Sequence, residues 1–272
     1  MPTTLVLLDR ALRLDDNPTL SAAFAIGQPV IVLVDTSART PWLADALPMS
    51  LISHASAVAR NKAWQALAAE LGAFNIPVWQ VGYASQQSWQ RLIEQSGANQ
   101  IVVPAHVDPD QQRLLAQLPI PFLGRGHNHL LSRQQHETLP AKLEGRFTPF
   151  FHAVKHWPTQ TPEAPTHHWV LAAMTPVQGA APVVAETEAR QRSETKLPVT
   201  PREVHDWLER YLWQRQAVAH YKTRRNDLVG DDSSSRLSAA LALGTLSVRR
   251  LNEHLQRYEQ QVQSNASTAA LR

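Results

Sequence analysis

The stretch TLVLLDRALRLDDNPTLSAAFAIGQPVIVLVD, residues 4–35, decides the fold. It begins and ends in unbroken apolar runs, residues 4–8 and 30–35. A strand with one wet face alternates apolar and polar side chains, whereas a strand covered on both faces need not, so these runs predict buried parallel strands. Between them residues 18–26 suit a short helix, led in by Asp16 or Asn17 as cap with Pro18 in the first turn. Strand, helix, strand is a βαβ unit.

The pattern repeats outward. Leu51, Ala55, Val58, Ala59, Ala63, Leu67 and Leu71 fall on one helical face, and Gly72 marks the end of that helix. Residues 76–81 read as the next strand, Ser85 as the cap of a helix bearing Trp89, Leu92 and Ile93, and residues 100–104 as a further strand. Pro109 opens a helix reaching Leu118, and PFLG, residues 121–124, follows as a short fifth strand. Five strands with intervening helices predict an α/β domain over residues 1–156, a doubly wound parallel five-stranded sheet with its ligand crevice at the strand C-termini.

From residue 157 to 199 prolines and polar residues surround short apolar patches, which reads as a connection between domains. Thr200, Pro201 and Glu203 then form a capping box, and residues 200–272 read as helical. The 26 basic and 23 acidic side chains give a formal charge of +3, too small to establish nucleic-acid binding by itself. Locally, however, Arg210, Arg215, Lys222, Arg224 and Arg225 interleave with Trp207, Tyr211, Trp213 and Tyr221, a mixture that grips phosphates and stacks on rings or simply forms a solvated face with core anchors. No cysteine is present, which excludes disulfides and thiolate chemistry. No apolar run approaches the ~18 residues of a membrane span, and the start lacks the pattern of a signal peptide, so a cytoplasmic protein without a membrane is expected. His127 and His129, an i, i+2 pair without neighbouring carboxylates and with His136 nearby, read as polar loop rather than metal ligands, and His167 and His168 in the connection read the same way. Phosphate-binding glycine loops, dinucleotide fingerprints and nucleophile elbows are missing, so hydrolase and dehydrogenase readings have no residues to carry them.

One motif remains. In DDSSSRLSAALALG, residues 231–244, small hydroxyl side chains and an arginine precede an apolar helix. A helix N-terminus offers unpaired N–H groups, so Ser234, Ser235, Arg236 and Ser238 suit an anion site; alternatively one serine merely caps a helix that packs through Leu237, Leu241 and Leu243. A rival reading takes the GTLS turn and a second helix over residues 248–258 as a DNA-binding helix-turn-helix offering Arg249, Arg250, Asn252 and Gln256.

The spacing of Tyr221 and Arg225, the run YKTRRNDLVGDDSSSRLS and the later RYE resemble the start of the flavin-binding domain of DNA photolyases and cryptochromes, the DASH cryptochrome branch most of all. LLDRALRLDDNPTL, residues 7–20, resembles the family's opening strand and turn, and LPAKLEGRFTPFFHAVK, residues 139–155, the stretch that leaves its first domain. The resemblance implies that Tyr221, Ser234, Ser235, Arg236, Leu237 and Ser238 surround FAD, the last five about its pyrophosphate and ribityl, and that Arg225 faces the DNA backbone. It implies blue-light-driven electron transfer from reduced flavin to a pyrimidine dimer, or light sensing, in the complete protein. An antenna pterin such as methenyltetrahydrofolate belongs to the same implication.

The match is uneven. Leu7, Leu8 and Ala11 stand where the family favours an aromatic pair and an aspartate, which leaves Arg13 or Arg10 without that acid as a buried partner. Asp110 and Gln111 lie where antenna-binding relatives tend to carry a glutamate, so an antenna is not expected to be held firmly. The chain stops at residue 272, before the helices that in the family complete the flavin pocket and the electron-transfer tryptophans. The expectation is therefore a truncated or fragment form with the helical domain incomplete; the alternatives are a short α/β nucleotide-binding relative without repair activity, and the helix-turn-helix reading. No catalytic residue and no oligomeric state follow.

Overall fold

A computed structural model describes residues 2–8, 10–35, 54–76, 78–81, 86–105, 112–113, 115–126, 129–140, 143, 145–164, 180–182, 197–227, 230 and 233–270. Those residues form two compact units, each drawing on two separate stretches of chain: Met1–His127 with Glu163–Leu246, and Asn128–Pro162 with Ser247–Arg272.

The first unit is built on a sheet of β1 (Thr3–Leu8), β2 (Val30–Asp35), β3 (Val78–Val81), β4 (Ala98–Val103), β5 (Phe122–Gly124) and β6 (Ala180–Pro182), in the order β5-β4-β1-β2-β3-β6. The first five strands are parallel, in an order that winds outward in both directions from β1, so the doubly wound reading of residues 4–35 and their repeats holds. The sixth corrects the reading of residues 157–199 as pure connection. Ala180–Pro182 pairs antiparallel with the outer edge of β3. Such pairing needs only backbone groups, and proline is tolerated on an edge strand, so AAP carries no apolar pattern by which to be seen.

Successive strand residues point to opposite faces, which is why the apolar runs feed two cores. Val6, Leu8, Val30, Val32 and Val34 pack beneath α1 (Pro18–Ala25) and α2 (His54–Gly72) with Leu20, Phe24, Trp64, Leu67 and Leu71. Leu5, Leu7, Ile31, Leu33, Ile101 and Val103 pack on the other face with α3 (Gln86–Ser96), through Trp89, Leu92 and Ile93, and with Leu115 and Leu118. α1 is capped by Asn17, whose Oδ1 accepts from the Leu20 amide, with Pro18 in the first turn. Gly72 closes α2. Ser85 and Pro109, expected to start helices, lie outside the described residues, as do Asp110, Gln111, His127, His167 and His168.

The second unit holds α4 (Arg133–Glu137), α5 (Phe147–Val154) and the long α9 (Val248–Ala270). α4 starts at a reciprocal capping box of Ser132 and Gln135. Arg249, at the start of α9, is 3% exposed, and Asn252 Nδ2 donates to Thr159 Oγ1 at 3.2 Å. Arg250 pairs with Glu253. Arg249, Arg250 and Asn252, three of the residues wanted for a DNA-reading helix, are thus engaged within the unit, while Gln256 is exposed. Among the described residues no helix is long and apolar enough to cross a membrane.

Candidate functional site

The site is reached through α6 (Pro201–Leu208). Its start is fixed by Thr200, whose hydroxyl accepts from the Glu203 amide while Glu203 returns a bond to the Thr200 amide. Glu203 also meets Lys62 of α2 at 2.8 Å. Burial pushes the Glu203 carboxyl up, but the Lys62 ammonium and the Val199 and Thr200 amides outweigh it and hold the group below its ordinary value. Val204 and Leu208 are buried, which leaves Trp207 on the flank of the helix.

After α6 the chain widens into a π-helical segment, Glu209–Gln214, with Tyr211 and Leu212 buried. A 3-10 turn, Ala217–His220, leads into the single turn α7 (Tyr221–Arg224). Tyr221 is 45% exposed, and Lys222, Arg224 and Arg225 are all exposed beside it. The Tyr-x-x-x-Arg spacing is therefore one helical turn: the Arg225 amide donates to the Tyr221 carbonyl at 2.8 Å.

The serine cluster takes a form the sequence did not disclose. α8 begins at Ser238 and runs only to Leu243, and the residue at its N-cap is Leu237, which makes no side-chain cap bond. Neither Ser234 nor Ser235 caps the helix, so the reading of one of these serines as its cap is corrected. The cluster is instead an irregular loop. Leu237, 3% exposed, anchors it, and Arg236 adopts φ 53°, a left-handed conformation costly for any residue with a Cβ. Arg236 Nη2 donates to the Gly230 carbonyl at 3.2 Å, as does the Ser233 hydroxyl. Ser234 and Ser238 are exposed, and Ser235 is half-buried.

Trp207 organises this loop, and the sequence reading gave it only the role of one aromatic among several. Its indole Nε1 donates to the Ser235 carbonyl at 2.7 Å. The Arg236 guanidinium carbon lies 5.9 Å from its ring centroid and that of Arg210 5.3 Å. The i, i+3 spacing of Trp207 and Arg210 was the available sequence signal for one of these pairs; nothing local signals the other. Chemically, the loop assembles two serine hydroxyls, Ser234 and Ser235, with a guanidinium held against an aromatic face, a set suited to a phosphate or pyrophosphate.

α8 is mounted on the sheet. Ala240 is buried and Leu243 packs against the core beneath α1 and α2. The chain then turns at Gly244, φ 71°, where an added Cβ would fall 1.9 Å from the Arg10 carbonyl oxygen. The Leu12 amide donates to the Leu243 carbonyl, and Arg13, 3% exposed, donates to the Gly244 carbonyl through Nη1 and to the Asp16 carbonyl through Nε and Nη2. The Asp16 carboxylate accepts from the Glu163 amide at 2.8 Å. The loop that leaves the C-terminal end of β1 is thereby tied to the element that carries the serine cluster.

The rings of His129 and His136 lie 5.3 Å apart, and burial, then His136 and Arg249, hold His129 below its ordinary pKa. Among the described residues no group of three His, Asp or Glu side chains converges on a metal-sized site.

Comparison with known proteins agrees with this architecture. The family model for DNA photolyase matches residues 4–166. The DASH cryptochromes of Gloeobacter violaceus and Danio rerio are 48% and 43% identical to this chain over 61 residues, 22% of this chain and 12% of each relative. The crystal structure of the Synechocystis cryptochrome superposes with a TM-score of 0.71 at 22% identity, over 96% of this chain and 56% of that one. A class III photolyase from Agrobacterium tumefaciens follows with a TM-score of 0.65 at 20% identity, over 91% and 51%. The chain thus spans about half the length of the solved structures that share its fold. With the doubly wound sheet, the helical region and the family match over most of the first 166 residues, the chain belongs to the DNA photolyase and cryptochrome family.

Proposed function

We propose that the loop of Ser234, Ser235, Arg236, Leu237 and Ser238 is the phosphate grip of an FAD site, with Tyr221 against the cofactor and Arg225 toward a DNA backbone. The observation that carries this is Arg236, held at φ 53° within bonding reach of its own loop and against the Trp207 ring. Left-handed backbone at a bulky residue persists where surrounding structure enforces it, and such positions concentrate at ligand clamps. The residues suit the phosphate end of the cofactor: hydroxyl donors, a permanent cation and a buried leucine for anchorage. A protein of the same fold points the same way, since the crystal structure of the archaeal photolyase from Sulfolobus tokodaii, with a TM-score of 0.61, contains two FAD molecules.

In this reading the flavin supplies the light-driven electron chemistry, while this chain's residues bind its phosphates and orient it. The complete protein would repair pyrimidine dimers in DNA or sense light. Residues 1–156 would form the antenna-type domain, 157–199 a connection that lends the strand Ala180–Pro182 to the sheet edge, and 200–272 the first helices of the flavin domain. The helix-turn-helix reading is not favoured, because Arg249 is buried.

The test is an equilibrium titration of FAD, followed by flavin fluorescence anisotropy, against the chain and its Arg236→Ala variant. A charge-assisted contact to phosphate contributes about 1.5–3 kcal/mol, so the variant should bind about tenfold or more weakly. Equal affinity for both would refute the assignment.

A further inference from the structure

We infer that Trp207 is the positioning residue of the 233–238 loop, setting Ser235 and Arg236 in place for an anionic phosphate group; this rests on the flavin reading above. Two different contacts converge on the one indole. Its N–H binds the Ser235 carbonyl at 2.7 Å, and its ring carries the Arg236 guanidinium at 5.9 Å. The peptide between those contacts is the one that leads into the left-handed Arg236. A left-handed arginine is disfavoured in a free loop, so the loop needs a fixed point on each side of the kink. Leu237, buried, is the fixed point after it. Trp207, through Ser235, is the fixed point before it.

The mount is rigid. Trp207 follows Val204 and precedes Leu208, both buried, on a helix whose first turn is locked by the Thr200–Glu203 box and the Lys62 ion pair. On the same ring Arg210 adds a second guanidinium at 5.3 Å. The two cations belong to different segments, α6 with its π-helical extension and the serine loop, and the indole brings both charges to one place. A phosphate close to Arg236 therefore gains from Arg210 as well, because the one aromatic face holds both guanidinium groups beside it. A leucine at 207 would fill the volume but supply neither the N–H nor the cation-binding face. Phenylalanine would supply the face alone.

The experiment compares Trp207→Phe and Trp207→Leu with the parent chain by two readouts. The first is amide hydrogen exchange across residues 233–238, with the amides of β1 and β2 as internal control. The second is FAD titration by anisotropy, run beside Arg236→Ala. The expected result is at least tenfold faster exchange confined to the loop in both variants. FAD affinity should fall about fivefold in Trp207→Phe and further in Trp207→Leu. Loop exchange unchanged in both variants overturns the inference whatever the binding data show. Faster exchange that spreads equally to β1 and β2 also overturns it, because the tryptophan would then act only through global stability. If Arg236→Ala weakens FAD and the Trp207 variants do not, the positioning role fails while the flavin reading stands. If no variant changes FAD affinity, the flavin reading fails, and loop-confined exchange alone then decides whether Trp207 positions the loop.

Discussion

Arg13 donates to the Gly244 carbonyl at 2.7 Å, joining two residues 231 positions apart. Two further bonds, from Nε and Nη2 to the Asp16 carbonyl, fix the guanidinium plane. One buried cation thus closes the loop after β1 and holds the turn after α8, so the opening strand and the serine-cluster element fold as one unit.

Arg13→Ala removes three charge-assisted donors and strands two carbonyl oxygens out of water. With each such bond worth about 1.5–3 kcal/mol and the partners left unpaired, the loss should reach about 3 kcal/mol or more. Urea unfolding reads it directly. Arg13→Lys should recover only part, because an ammonium cannot reproduce the fork that spans both carbonyls. Full recovery by lysine would show that charge rather than geometry matters here.

Gly244 is required on two grounds, its positive φ and its approach to Arg10, and the two can be separated. Gly27 has φ 75° with open space where a Cβ would stand. Gly27→Ala should therefore cost only the conformational penalty, about 1–2 kcal/mol. Gly244→Ala adds a collision with backbone 1.9 Å away, so its cost should exceed that of Gly27→Ala by at least about 1 kcal/mol in the same urea titration. Equal losses would mean that the turn moves freely off the Arg10 loop.

Much of this was legible in the sequence for a local reason. Strands buried on both faces announce themselves as apolar runs, and Asn17 and Thr200 announce helix starts through side chains that act within three residues. What stayed hidden depends on partners distant in sequence. Arg13 seemed deprived of a partner by Ala11, yet it is engaged by the carbonyl oxygens of Asp16 and Gly244. The serines looked like helix caps because they precede an apolar helix. The kink at Arg236 withdraws them from it, and the Trp207 contacts that accompany the kink lie 28 and 29 positions away.

Arg225 stands exposed on the turn opened by Tyr221. If this turn meets a DNA backbone, Arg225→Ala should weaken binding of a duplex to a similar degree whatever its sequence. It should also lower the slope of log affinity against log salt by about 0.9, the share of one phosphate contact. Fluorescence-anisotropy titrations at three salt concentrations measure both. An unchanged slope would remove Arg225 from the interface.

Glu203 predicts an acid-sensitive joint between α2 and α6. Its folded pKa lies below the ordinary carboxylate value, so its stabilisation is complete above that value and is lost as pH falls through the folded pKa. The pair with Lys62 is 39% exposed on the Glu203 side and so is screened. Glu203→Gln should cost only about 1 kcal/mol near neutral pH, mostly from the weakened capping box and ion pair. The gap between parent and variant should close as pH drops below about 4.5, the ordinary value from which the group is lowered. A gap that stays constant with pH would show that the charge contributes nothing.

Glu70 should behave with the opposite sign. Burial raises its pKa most, Asp15 adds repulsion, and the Leu14 amide, which donates to Oε2 at 3.2 Å, opposes both without cancelling them. A carboxyl whose folded pKa is raised binds its proton more tightly in the native state. Its contribution is therefore most favourable at low pH and is lost as pH rises through the folded value. Glu70→Gln keeps an oxygen for the Leu14 amide and removes the half-buried charge, so the variant should be more stable than the parent at neutral pH. That advantage should vanish toward pH 4, where the parent carboxyl is itself neutral. Thermal unfolding of the two chains across this range tests it. A variant less stable at pH 7 would mean that Glu70 is held by a cationic partner strong enough to reverse the effect of burial.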